Sequence, residues 1–216
     1  AIELLESAVP ICRRLAPDDL AALVSSGLVE QLLSAGRTER AGTVVLEAVE
    51  AHRASALFPP LLELQRVRWL RSSGRWTAGL EAVERVLEGG LLRDQEPGSD
   101  PRFALLHPTV RGFLLGERAR LELELGRIDR ARAAAMAELN VARRHDDAQV
   151  RVDALLVLAD CDYLGSDPES TLHTVEELRR EDLGPENERT VDWLEAMARG
   201  GIALGGEPDE ARIAVA

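Results

Sequence analysis

The sequence predicts an all-α protein, a right-handed α-solenoid built from about five antiparallel helix pairs of ~40 residues each. Apolar residues follow helical spacing through nearly the whole chain, and no segment keeps the alternating pattern of a β-strand. Aromatic residues make up only 3% of the chain, so Ala, Leu and Val must fill a core of closely spaced helices. Glycines interrupt the helical pattern at positions 36, 74, 126, 165 and 206, which are 38, 52, 39 and 41 residues apart.

The clearest repeat lies in the middle of the chain, at Leu121 to His145. Gly126 breaks an apolar-periodic helix, Arg127 follows, and the small residue Ala131 comes five positions after the glycine and begins the apolar face of the second helix. By the same spacing, four other residues take the small-residue position after their break glycines: Ala41, Gly79, Ser170 and Ala211.

The first half of the chain divides at prolines as well as at glycines. Residues 1–15 fit the trailing helix of a preceding repeat, and Pro10 is expected to kink or end that helix. Pro17, followed by two aspartates, marks the start of a helix that runs to Gly36, and Pro59 starts the helix that runs to Gly74.

Residues 89–100, rich in Gly, Pro and Asp, predict a loop inserted between repeats, which accounts for the longest spacing. A short turn that includes Pro108 is expected before a helix from about Thr109 to Leu125. His145 is expected to end a helix, and Asp146 to cap the next one. Residues 207–216 fit the start of a truncated helix, so we expect 1–216 to be one helical-repeat domain, a fragment of a longer protein.

Charge and composition exclude several function classes. The net charge is −12, and all 26 basic residues are arginine, so a phosphate-binding loop lysine and a Schiff-base lysine are impossible. Acidity also argues against direct nucleic-acid contact by this segment. Cys12 and Cys161 are too far apart in sequence for a disulfide framework or metal-type spacing. With no signal peptide or membrane-length apolar run, we expect a cytoplasmic protein without metal or cofactor.

Three turn segments, SAGRTERAG at 34–42, SSGRWTAG at 72–79 and ELGRIDRA at 124–131, resemble the tetratricopeptide repeat. The period near 40 exceeds that family's usual 34, and its aromatic and proline landmarks are mostly missing apart from Trp76. Longer Ala- and Leu-rich repeats of this kind are similar to the superhelical sensor region of maltose-activator-like, large ATP-binding LuxR-type transcriptional regulators. That resemblance implies a sensor and oligomerisation segment between a nucleotide-binding ATPase and a helix-turn-helix domain.

The resemblance also implies a concave groove lined by the first helix of each pair. The residues expected to face it are Arg68, Arg71, Arg120, Tyr163 and Trp193. Arginine binds carboxylates or phosphates in bidentate fashion, and the two aromatic rings offer flat apolar area. Alternatively, the arginines form ion pairs on a solvated surface with Glu63, Glu81 and Glu84. We expect Trp76 to pack between repeats.

The favoured hypothesis is a non-catalytic interaction or effector-sensing module that binds a protein segment or small effector. It makes no membrane contact, and it could form homo-oligomers through exposed repeat ends. One alternative is a regulatory or substrate-recruiting domain attached to a signalling enzyme. A minor alternative is a helical metal-dependent hydrolase using His145 and Asp146, with His107 upstream. Around Cys161, the pattern predicts a buried thiol between the solvated acids Asp160 and Asp162.

Overall fold

A computed structural model describes residues 1–15, 18–51, 59–88 and 101–203. Within these ranges the chain forms ten α-helices and no strand, which confirms the all-α prediction. The helices are α1 (Ile2–Leu15), α2 (Asp18–Ser34), α3 (Thr38–Ala51), α4 (Pro59–Ser72), α5 (Trp76–Glu88), α6 (Pro101–Glu124), α7 (Ile128–His145), α8 (Ala148–Leu164), α9 (Pro168–Leu178) and α10 (Pro185–Ala203). None of the helices in these ranges has both the length and the apolar character that crossing a membrane requires.

The chain divides into two compact units, Ala1–Val110 and Arg111–Ala216. In the first unit, α2 contacts α1, α3 and α4, while α4 also contacts α3 and α5. In the second unit, α8 contacts α7, α9 and α10, and α9 contacts α10. In each unit, consecutive helices are in contact. Two helices separated by one other helix in the sequence also touch, α2 with α4 and α8 with α10.

The predicted glycine turns are present at three positions with the same backbone conformation. Gly36, Gly74 and Gly126 have φ angles of 70°, 72° and 72°, a left-handed conformation that favours glycine. At the first turn, Gly36 N–H donates to the Leu33 carbonyl, and Arg37 N–H donates to the Leu32 carbonyl. The other two turns repeat this pair of hydrogen bonds, which satisfies the last carbonyls of the preceding helix.

The small residue five positions after the glycine also has a structural role. The amide groups of Ala41, Gly79 and Ala131 donate to the carbonyl of the residue that follows each turn glycine, and this begins the next helix. All three residues are buried, as the spacing predicted. A larger side chain there would have to displace the core.

The fourth turn is shifted by one residue from its predicted position. Ser166, with a φ angle of 62°, takes the left-handed place, and Asp167 N–H donates to the Asp162 carbonyl. Thr171, which is fully buried, then takes the small-residue position that we assigned to Ser170. Alignment on Gly165 was therefore wrong, because serine supplies the left-handed residue here and the adjacent glycine does not.

Small aliphatic side chains fill the core, as the composition predicted. One such cluster, in the second unit, includes Ala119, Ala131, Ala135, Leu139, Ala154, Leu155, Leu158, Leu178, Val191 and Leu194. In the first unit, the indole of Trp69 lies so close to Gly42 that a Cβ atom there would be 2.5 Å from the ring. Trp69 is thus the buried tryptophan of this unit, whereas Trp76, the expected packing residue, is more than one third exposed.

The predicted starts of two helices, α6 and α8, are wrong. Helix α6 begins at Pro101 and continues through Pro108, where a turn was expected. Helix α7 does end at His145, but the cap of α8 is Asp147, whose carboxylate accepts from the Val150 amide at 3.1 Å, while Asp146 adopts the left-handed conformation. Helix α1 is continuous past Pro10. The predicted loop at 89–100 and the predicted helix start at 207–216 lie outside the described residues.

Candidate functional site

The five predicted groove residues fall in different parts of the chain. Arg68 and Arg71 belong to α4 in the first unit, and Arg120, Tyr163 and Trp193 belong to α6, α8 and α10 in the second. Of these, Tyr163 and Trp193 are in direct contact. Their ring centroids are 5.5 Å apart at an interplanar angle of 70°, an edge-to-face arrangement.

Arg120 forms an intramolecular ion pair. Its Nη1 donates to Asp153 Oδ2 at 2.9 Å, and its Nη2 donates to Oδ1 of the same carboxylate. The carboxylate of Glu117, one turn earlier on α6, lies 4.0 Å from Nη1. An external carboxylate or phosphate would therefore have to compete with Asp153 for the guanidinium group.

A fully buried acid, Glu138 on α7, lies beside this pair. Gly116 makes room for it, because a Cβ atom on Gly116 would lie 2.6 Å from Glu138 Oε1 and 2.7 Å from Asp153 Oδ2. Burial, reinforced by the negative charge of Asp153, raises the pKa of Glu138 to about 10. The carboxyl group is therefore protonated at neutral pH.

Protonation explains how Glu138 is accommodated. Neither of its oxygens accepts a hydrogen bond from a described residue. In the neutral form, the hydroxyl faces the Asp153 carboxylate and can donate to it. The cluster of Glu117, Arg120, Glu138 and Asp153 then carries one positive charge, two negative charges and one neutral acid.

Glu117, Glu138 and Asp153 were not predicted as site residues from the sequence. A signal for Glu138 is nevertheless present, because it lies at helical spacing with Ala131, Ala134 and Ala142 on the buried face of α7. A carboxyl group among alanines predicts either a partner or a bound proton.

A second buried acid, Asp162 on α8, has a full set of partners. One carboxylate oxygen accepts from Arg132 of α7, and the other accepts from Thr174 Oγ1 of α9 at 3.0 Å. The prediction of solvated acids around Cys161 is wrong at this position, because residue 162 of α8 turns toward α7 and α9. Cys161 itself is buried as predicted, and burial raises the pKa of its thiol to about 11, so it is not a reactive thiolate.

Asp160, which precedes Cys161 in the sequence, is only partly buried. Burial raises the pKa of its carboxyl group to about 6, and the positive charge of Arg120 opposes that rise. It lies one turn before Tyr163 on α8, and residues three apart share a helix face. Trp193, packed against Tyr163, leaves 47% of its surface exposed.

The arginines of α4 have neighbouring acids. Arg66 pairs with Glu63 at 3.2 Å, and Arg68 lies 3.7 Å from the Glu30 carboxylate of α2. Arg75, just after the turn, stacks its guanidinium over Trp69, 5.3 Å from the ring centroid. Arg68 therefore joins α4 to α2, and its role in partner binding stays a prediction.

The residues of the hydrolase alternative are spread over a helix junction. His145 and Asp146 are exposed, Asp146 lies 3.5 Å from Arg151, and Asp147 caps α8. Among the described residues, no group of three or more His, Cys, Asp or Glu side chains is arranged to hold a metal ion. The side chain of His107 lies outside the described residues.

Comparison with known protein families and with curated protein sequences gives no match for this chain.

Proposed function

We propose that the chain is a tetratricopeptide-like α-solenoid of antiparallel helix pairs, acting as a non-catalytic binding and oligomerisation module of a cytoplasmic bacterial transcriptional regulator. The observation that carries the proposal is the recurrence of one turn. At residues 36, 74, 126 and 166, the same pair of backbone hydrogen bonds ends one helix, and a buried small residue begins the next. Repeated use of one helix–turn–helix unit is typical of scaffolds that bind partners along a face.

The contacts between alternate helices support a binding face. Because α2 contacts α4 and α8 contacts α10, each unit presents two first helices side by side. Tyr163 and Trp193 lie on such a pair, with half-exposed aromatic area available to a protein segment or a small effector. Binding would stabilise one packing or oligomeric arrangement over another.

The experiment uses the parent protein encoded by the complete reading frame. We expect an ATPase domain and a helix-turn-helix domain to flank this segment, and we expect Tyr163→Ala with Trp193→Ala to lower a transcriptional reporter response at least several-fold. DNA affinity should be unchanged, and Trp76→Ala, which removes an exposed tryptophan of the other unit, is the matched control. A response that survives the double substitution, or flanking kinase or cyclase domains, would contradict the proposal.

The non-catalytic part of the proposal is tested separately. Purified protein should contain no stoichiometric transition metal, and His145→Ala should not change its metal content. Phosphohydrolase activity that disappears in that variant would support the hydrolase alternative instead.

A further inference from the structure

We infer that the α8–α10 face formed by Asp160, Tyr163 and Trp193 binds an arginine side chain presented by a segment of a partner protein. The inference deepens the proposed function and rests on it, because it names the chemistry of the partner that the module would bind. The residue that points to this ligand is Asp160. This carboxylate is partly buried, yet no hydrogen bond or ion pair joins it to a described residue.

Asp160 forms no ion pair with Arg120. The charge of Arg120 acts on Asp160, but both terminal guanidinium nitrogens of Arg120, Nη1 and Nη2, donate to Asp153. A partly buried carboxylate without a hydrogen bond or ion pair attracts a cation and repels an anion. The ligand class therefore differs from the carboxylate or phosphate that the sequence suggested.

The aromatic pair adds a second reason for a cation. Tyr163 and Asp160 share a face of α8, and the edge-to-face contact holds the Trp193 indole against the Tyr163 ring. An indole is the best of the aromatic surfaces for a cation, and a guanidinium can stack on it while donating to a carboxylate. A planar arginine therefore fits this combination better than a lysine ammonium.

The openness of this face favours a peptide over a small molecule. A small ligand needs a concave pocket that covers most of its surface. Here 47% of Trp193 is exposed, and the partly buried side chains of Leu156 and Met197 lie on the same two helices. An extended segment can insert one arginine at Asp160 and lay its neighbours along this surface.

The test follows the three indole N–H signals of the full chain by two-dimensional NMR, assigned with single Trp→Phe variants. The probe is a five-residue peptide with a central arginine between glycine and serine residues. Its matched control replaces arginine by citrulline, which has nearly the same shape without the charge. The Trp193 signal should shift saturably, and citrulline should weaken binding about 10-fold, since a charge-assisted hydrogen bond and a cation–π contact are both lost.

Substitutions locate the site. Asp160→Asn should weaken arginine binding about as much as citrulline does, and Trp193→Leu should weaken it further. Asp182→Asn, which removes an exposed acid from the loop before α10, should leave binding unchanged. The Trp76 signal should stay in place throughout.

Three outcomes would overturn the inference: no Trp193 shift, equal shifts with citrulline, or equal weakening by Asp160→Asn and Asp182→Asn. The comparison of arginine with citrulline uses the unmodified chain, so it holds even if a variant folds poorly. None of these outcomes contradicts the proposed binding module, which the reporter experiment on the parent protein decides independently.

Discussion

Two buried acids of the second unit have opposite environments. Asp162 has a partner for each oxygen, Arg132 for one and Thr174 for the other. The Glu138 carboxyl group accepts no hydrogen bond from a described residue, faces the carboxylate of Asp153, and is protonated at neutral pH. The same physical problem, a carboxyl group away from water, is thus solved once by pairing and once by protonation. The first solution ties three helices together, and the second makes stability depend on pH.

The largest effect is expected where the pairing is removed. Asp162→Ala should lower the free energy of unfolding by about 3 kcal/mol, because it leaves Arg132 without its acceptor and leaves the Thr174 hydroxyl only the Ser170 carbonyl. Arg132 is partly exposed, so water relieves some of the loss. Urea unfolding measures the change.

The control for that substitution is Asp192→Ala. Asp192 also pairs with an arginine, Arg179, but both side chains are well exposed. A loss below about 1 kcal/mol is expected there. Equal losses at the two positions would mean that burial does not distinguish the pairs.

The second prediction concerns the protonated acid. A raised pKa means that the folded state holds a proton which the unfolded state releases above a pH of about 4.3, so the stabilisation is complete below that pH. It is then lost as pH rises toward the folded value of about 10. The charged or titratable groups around Glu138 are Asp153, Arg120 and Glu117.

The measurement compares the unmodified chain with Glu138→Gln, which keeps the shape and the donor but cannot titrate. Between pH 7 and pH 9, above the Asp160 pKa of about 6, the unmodified chain should lose about 2.7 kcal/mol more stability than the variant, since each pH unit below the folded pKa of Glu138 changes stability by about 1.4 kcal/mol. Parallel stability curves would show that Glu138 does not hold the proton.

The third prediction concerns the space beside these carboxyl groups. Gly116→Ala should destabilise by about 1–2 kcal/mol, because the added methyl group would displace Glu138 and Asp153, although alanine is the better helix former. Gly27→Ala in α2, with nothing within 4 Å of the new Cβ, is the matched control and should stabilise by about 0.5–1 kcal/mol. Thermal unfolding with the same sign of change in both variants would contradict the tight packing at Gly116.

These examples also explain how much the sequence could predict. Helices, glycine turns and the buried small residues follow from local rules, and the first three turns lie where Gly36, Gly74 and Gly126 indicated. The fifth predicted break, Gly206, lies outside the described residues. At the fourth, either of two adjacent residues could take the left-handed position, and Ser166 takes it, with the buried Thr171 five residues later. The positions of the glycines alone do not predict which residue becomes left-handed.

The candidate site was less predictable because it depends on partners from different helices. Arg120 and Asp153 are 33 residues apart, and nothing in the sequence between them indicates that the arginine is already paired. Tyr163 and Trp193 were both predicted for a common face, and they do touch. Asp160 was predicted to be a solvated acid, because the partial burial of its side chain comes from the folded structure and is not encoded in the neighbouring residues.

The smallest expected effect isolates one hydrogen bond of the fully paired acid. Thr174→Val keeps the shape of the side chain but removes the hydroxyl that donates to Asp162 and also to the Ser170 carbonyl of its own helix, and it should cost about 1 kcal/mol. Thr190→Val in α10 is the control, because that exposed hydroxyl donates only to the Glu186 carbonyl and water can replace it. In chemical unfolding, Thr174→Val combined with Asp162→Ala should be less destabilising than the sum of the two, since both remove the same bond. Full additivity would mean that the hydroxyl and the carboxylate stabilise the fold independently, and that Asp162 is held by Arg132 alone.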